Sequence, residues 1–296
     1  MKVARVDRPI LVNGFQGGGS NILVNILSSH PDACWVGQET QRLFHEKELS
    51  PAPDFFSLGN LDPRPIPDDF ADRLHATIAK NHQAMDEDPV FRFVSEGVPY
   101  GPGELASTRV ILKNLNGLNF LDRYFHTVFT DAVSLFLVRN PVVLYESFKR
   151  HKRTKSRRQF ARLYNLVVKE MLQRTSEEES AMIIRFEDLM KHPIESMERL
   201  LNFTGLGTAA MGRLRLATKP HYISASERSK GRHSDWIDQA RFHDIADPNI
   251  DRYQLDNLTG SESHSIATAT KHAAESLGYD LSVFKRQWFF SRLRTR

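Results

Sequence analysis

Residues 10–31, ILVNGFQGGGSNILVNILSSHP, limit the possible folds of this chain more than any other stretch. Ile10, Leu11 and Val12 form a short apolar run that reads as a buried strand, and Asn13-Gly14 ends it. Gly17, Gly18 and Gly19 follow, and Ser20 or Asn21 is expected to cap a helix whose apolar residues Ile22, Leu23, Ile26 and Leu27 have helical spacing. A strand, a glycine loop and a helix start present backbone N–H groups and a positive helix end to an anion. Glycines let the backbone approach a phosphate closely. The same glycines would also serve a plain strand-to-helix turn, so this loop alone leaves both readings open. Gly14 and Gly19 have the GxxxxG spacing of a Walker A loop, but Ser20 stands where that motif needs lysine.

Further short apolar runs alternate with helical patterns. Cys34-Trp35-Val36, Val110-Ile111-Leu112, Ser134 to Val138 and Met182-Ile183-Ile184 read as strands. Helices are expected over Asp68–Met85, Gly117–Phe129, Pro141–Lys149, Phe160–Arg174, Pro193–Phe203 and Ile266–Leu277. This alternation predicts an α/β fold of three layers, with a mostly parallel central sheet flanked by helices. No composition shift marks a boundary, so residues 1–296 are expected to form a single domain. With 40% hydrophobic and 26% charged residues, the chain matches ordinary globular composition.

Several charged residues fall at strand ends, where open α/β sheets bind ligands. Glu39 follows the second strand, although an acid there also suits the start of a helix. Lys113 follows Val110-Ile111-Leu112; it either points to the ligand edge or snorkels outward. Arg139 follows the fourth strand, beside Asn140 as N-cap and Pro141 as first helical residue. Ser147 lies two turns along that helix. Lys149 to Arg162 is strongly basic, which fits either a solvated helix end or attraction of an acidic partner such as a nucleotide.

Other features narrow the class. The net charge of +4 suits a phosphorylated ligand and does not require nucleic acid. Cys34 is the only cysteine, which excludes an intramolecular disulfide and favours a reducing, cytoplasmic setting. No apolar run reaches the roughly 18 residues of a membrane span, and the N-terminus is too short and too soon broken by glycine for a signal peptide. No His/Cys cluster has metal-ligand spacing. Residues 51–69 contain five prolines and read as an irregular loop with a lid or acceptor role. The tail KRQWFFSRLRTR packs its aromatics on the body or lies on a membrane surface.

In order along the chain, these segments resemble the sulfotransferases that use 3′-phosphoadenosine-5′-phosphosulfate. GFQGGGSNILVNILSSHP resembles the family's 5′-phosphosulfate loop, and FLVRNPVVLYESFKR its 3′-phosphate segment with an arginine and a serine eight apart. IRFEDL followed by MERLLNFTGL, the loop SKGRHSDW and the late LGY are similar to further family stretches. HPDACWVGQETQR is similar to the tyrosylprotein branch, where a glutamate before threonine is the catalytic base.

The resemblance implies an enzyme that transfers a sulfuryl group to a hydroxyl, or secondly an amine, of a small-molecule, sugar or lipid acceptor. It makes Glu39 the base and places Lys113 on the bridging oxygen. It assigns the 5′-phosphate to Gly17, Gly18, Gly19, Ser20 and Asn21. It assigns the 3′-phosphate to Arg139, Ser147, Lys230, Gly231 and Arg232. Adenosine 3′,5′-bisphosphate is the implied product, and no metal is required. One position departs from the pattern: the family's loop carries Lys or Arg where this chain has Gly17. A non-catalytic nucleotide-binding relative is therefore the second reading, and a P-loop kinase the third. The acceptor pocket is expected from residues 40–105.

Overall fold

The computed structural model describes residues 8–40, 69, 71–76, 78, 108–116, 119, 122–129, 131–153, 156–217, 239–241, 246–250 and 255–284. The expected loop over 51–69 and the stretch 40–105 expected to form the acceptor pocket fall almost entirely outside these residues, and the SKGRHSDW loop and the C-terminal tail lie outside them.

All five expected strands form: β1 (Ile10–Gly14), β2 (Ala33–Glu39), β3 (Arg109–Leu115), β4 (Val133–Val138) and β5 (Ala181–Arg185). They make one sheet in the order β2-β3-β1-β4-β5, and every pairing is parallel. β1, β3 and β4 are buried nearly throughout, as strands covered on both faces must be. A separate antiparallel pair joins Arg215–Ala217 to Gln239–Arg241.

Two cores lie on opposite faces of the sheet. On one, Ile10, Val12, Ile111, Leu135 and Leu137 pack against the helix α1 (Ser20–Ser28) and the helix Pro193–Thr204. On the other, Phe136 and Val138 pack against the helices Pro141–Arg150, Arg157–Glu177 and Gly260–Ala269. The alternation of side chains along β4 divides its residues between the cores, which produces the three layers. Beneath the sheet a buried polar cluster is closed on itself. Asp122 accepts from Asn13 at 2.7 Å and from Ser134 at 2.6 Å, and Arg174 Nε reaches it at 3.1 Å. Pairing these buried groups offsets much of the desolvation penalty that unpaired ones would carry, although Arg174 Nη2 finds no partner.

Three local expectations change. The first helix is capped by neither Ser20 nor Asn21. Gly19 is the N-cap, at φ 97° and without a side-chain cap, and Ser20 is already helical. The expected helix over 117–129 is shorter, Asp122–Val128. That over 266–277 is two helices, Gly260–Ala269 and Lys271–Ser276, broken at Thr270. The first of these begins with a capping box between Thr259 and Glu262, which the apolar periodicity alone did not show. No helix among the described residues is long and apolar enough to cross a membrane.

Candidate functional site

The carboxyl ends of β1, β3 and β4 open on a cavity of about 340 Å³, lined by Gln16, Gly17, Gly19, Ser20, Asn21, Lys113, Arg139, Ser147, Arg150, His151, Arg153 and Phe186 among others. The glycine loop forms its floor. Gly17 and Gly19 both have positive φ, 76° and 97°, a region side chains enter only at a cost. Space is tight there as well. A Cβ on Gly19 would lie 2.2 Å from Phe186 Cδ2, and one on Gly17 would lie 2.5 Å from Ser147 Oγ. The first amides of α1, which have no intrahelical acceptor, open toward this loop.

Arg139 ties the loop to β4. Its Nη1 donates to the carbonyl of Gly17 at 3.0 Å, and its guanidinium lies 4.7 Å above the Phe186 ring. The turn that carries Arg139 is held by three contacts. Asn140 caps the following helix through Val142 N–H, at 3.0 Å. Tyr164 donates to the Arg139 carbonyl at 3.2 Å. The buried Glu187 accepts from the Asn140 N–H at 2.9 Å and from the Tyr279 hydroxyl at 2.7 Å. Burial foremost, with the Glu187 charge second, pushes the Tyr164 and Tyr279 hydroxyls well above their ordinary range, so both remain donors. The FEDL and LGY stretches thus meet at the back of the Arg139 turn.

Lys113 lies two residues inside β3 rather than after it. It is buried, at 3% exposure, and its Nζ donates to Asn21 Oδ1. The expectation that it snorkels outward is thus replaced by an inward amine joined to the start of α1. Glu39 is placed by its backbone. Between Trp35 and Glu39 the β2–β3 register slips, so that Trp35 pairs with Ile111 and Glu39 with Lys113. An unbroken ladder would set Glu39 opposite Leu115; the bulge draws it back beside the lysine. Bulges commonly re-aim a strand near a site.

The structure therefore brings Gly17, Gly19, Ser20, Asn21, Lys113, Arg139 and Ser147 to one cavity. Gly18 belongs to the same loop, its N–H bonded to the Phe15 carbonyl at 3.0 Å. Lys230, Gly231 and Arg232 lie outside the described residues. Arg150, His151, Arg153 and Phe186 also line the cavity; sequence reasoning assigned the run holding the first three only a general attraction for an acidic partner, and assigned Phe186 no role. The signal for the first three was the basic run after Lys149, which one turn of chain folds back over the loop. Desolvation, followed by the charges of Arg153 and Arg150, holds the His151 imidazole below its ordinary pKa, which fits an electropositive rim.

A parallel sheet flanked by helices, with a glycine loop and converging cations at its carboxyl edge, defines an α/β protein of the P-loop-like class. The sulfotransferase family model matches residues 9–210, and the chain belongs to that family. Among solved structures, the sulfotransferase domain of the Synechococcus PCC 7002 olefin synthase is 17% identical; the alignment covers 93% of this chain and 96% of that one, with a TM-score of 0.50. A sulfotransferase from Alicyclobacillus acidocaldarius is also 17% identical, over 95% of this chain and 100% of that one, at a TM-score of 0.45. Mouse sulfotransferase SULT7A1 complexed with PAP is 12% identical, over 97% and 89%, at 0.44. No curated protein matches the sequence. Membership of the family establishes sulfuryl transfer as the general chemistry, and the first of these structures agrees with it in fold.

Proposed function

We propose that this chain transfers a sulfuryl group from 3′-phosphoadenosine-5′-phosphosulfate to a hydroxyl of a small-molecule, sugar or lipid acceptor, with an amine as the second choice. The observation that carries the reading is the bond from Arg139 to the Gly17 carbonyl. It joins the glycine loop to the Arg139–Ser147 helix, so that the residues read as holding the 5′- and 3′-phosphates line one cavity. A nucleotide with phosphates at both its 3′ and 5′ positions suits such a paired site. The positive-φ glycines and the first amides of α1 suit the 5′-phosphate; Arg139 and Ser147 suit the 3′-phosphate.

The donor supplies an activated sulfur–oxygen bond. In the reaction the acceptor oxygen forms a new bond to sulfur, and the bond from sulfur to the phosphate oxygen breaks. That phosphate oxygen leaves with the electron pair. Glu39 takes the acceptor proton, and Lys113 meets the charge growing on the leaving oxygen. The pairing of Glu39 with Lys113 supports these two roles. Positioning and charge stabilisation would supply most of the rate, as in phosphoryl transfer.

Calorimetric titration with adenosine 3′,5′-bisphosphate tests the reading. Wild type should bind it, and Arg139→Ala should weaken binding about tenfold or more, the usual worth of a hydrogen bond to a charged group. Glu39→Gln should bind the nucleotide as wild type does, yet slow transfer about 10²–10⁴-fold, the range for a general base. Absence of binding by wild type would refute the donor assignment; unchanged transfer by Glu39→Gln would remove Glu39 as base.

A further inference from the structure

We propose that Arg153 holds the 5′-phosphate end of the nucleotide, supplying from another element the cation that the glycine loop lacks. The inference rests on the nucleotide-binding reading above. Residue 17 disfavours a side chain: its φ is 76°, and a Cβ there would lie 2.5 Å from Ser147 Oγ, which would have to turn away. The same point lies 3.0 Å from Arg153 Nη1. A guanidinium therefore stands where a side chain from residue 17 would begin, beside the loop and in the same cavity as Lys113.

The backbone that aims Arg153 there is unusual. Past the helix Pro141–Arg150, Lys152 N–H bonds to the Lys149 carbonyl at 3.0 Å and Arg153 N–H to the Phe148 carbonyl at 2.8 Å. This is a Schellman turn, whose left-handed position glycine normally fills. Here Lys152 occupies it, at φ 54°. The turn reverses the chain so that Arg153 comes back over the loop. No carboxylate among the described residues pairs with Arg153, so its charge is available to an anion. A planar fork of donors suits a phosphate oxygen pair.

Deleting one phosphate from the ligand tests the assignment. Binding of adenosine 3′,5′-bisphosphate and of adenosine 3′-monophosphate is measured for wild type, Arg153→Ala and Arg153→Lys. Arg153→Ala should weaken the bisphosphate about tenfold to a hundredfold and change the 3′-monophosphate less than about twofold, with Arg153→Lys intermediate for the bisphosphate. Arg153 is exposed and pairs with no carboxylate among the described residues, so its variants should keep the wild-type melting temperature. Equal weakening of both ligands, or of neither, while wild type still prefers the bisphosphate, overturns the role of Arg153 alone. A wild type that binds neither nucleotide overturns the donor reading, and this inference with it.

Discussion

Gly19→Ala is the sharpest test of how the loop is built. The substitution places a Cβ 2.2 Å from Phe186 Cδ2 and 2.4 Å from Cε2, on a residue whose φ is 97°. The left-handed backbone costs about 1–2 kcal/mol. Phe186 is 4% exposed, within the core beneath α1, so it cannot yield freely, and overpacking adds about 1–3 kcal/mol. Reduced freedom of the unfolded chain returns about 0.5 kcal/mol. The net loss is about 2–4 kcal/mol. With an unfolding entropy of about 2 cal/mol/K per residue, that lowers Tm by roughly 3–7 °C for a chain of this length. Urea unfolding followed by tryptophan fluorescence measures the loss directly, and Phe186→Ala completes a double-mutant cycle. Alone, Phe186→Ala should cost about 3–5 kcal/mol. The double variant should cost less than the sum of the two by about 1–3 kcal/mol, because the added methyl then enters the space the ring left. Additivity to within about 0.5 kcal/mol would show that Phe186 does not enforce glycine at this position.

Glu187→Ala should leave the Asn140 N–H and the Tyr279 hydroxyl without their acceptor, costing about 1–3 kcal/mol for each buried group. If urea titration finds it no more destabilised than Tyr279→Phe, the Asn140 bond is not supporting the Arg139 turn. Stability should also fall on mild acidification. Burial chiefly holds the His30 and His126 pKa values below 6.5, against the opposing pull of Asp32 and Asp122. Below pH 6.5 the unfolded chain takes up protons that these imidazoles in the folded chain do not, so the stability present above pH 6.5 is lost as pH falls through the lower folded values. Urea midpoints between pH 7.5 and 5.0 check the sign; a flat or rising stability on acidification contradicts it.

Apolar runs were sufficient to find all five strands of the sheet; β1, β3 and β4 are buried nearly throughout, as strands covered on both faces must be. The sequence also marked Arg139, Asn140 and Pro141 as strand exit, cap and helix start, since these are local requirements of the backbone. The glycine loop was recognisable for the same reason as a tight strand-to-helix connection, with its role as an anion site left open by the loop alone. The tertiary structure decided what local pattern cannot encode. Strand order brought β3 beside β1, which brought Lys113 to Asn21. A register slip in β2 set Glu39 beside Lys113. Phe186 and Ser147, distant in the chain, crowd the positions of Gly19 and Gly17. By itself the sequence showed only that position 17 lacks a cation; the Schellman turn at Lys152 brings one there, because the position of a side chain depends on the path of the whole backbone rather than on spacing along it.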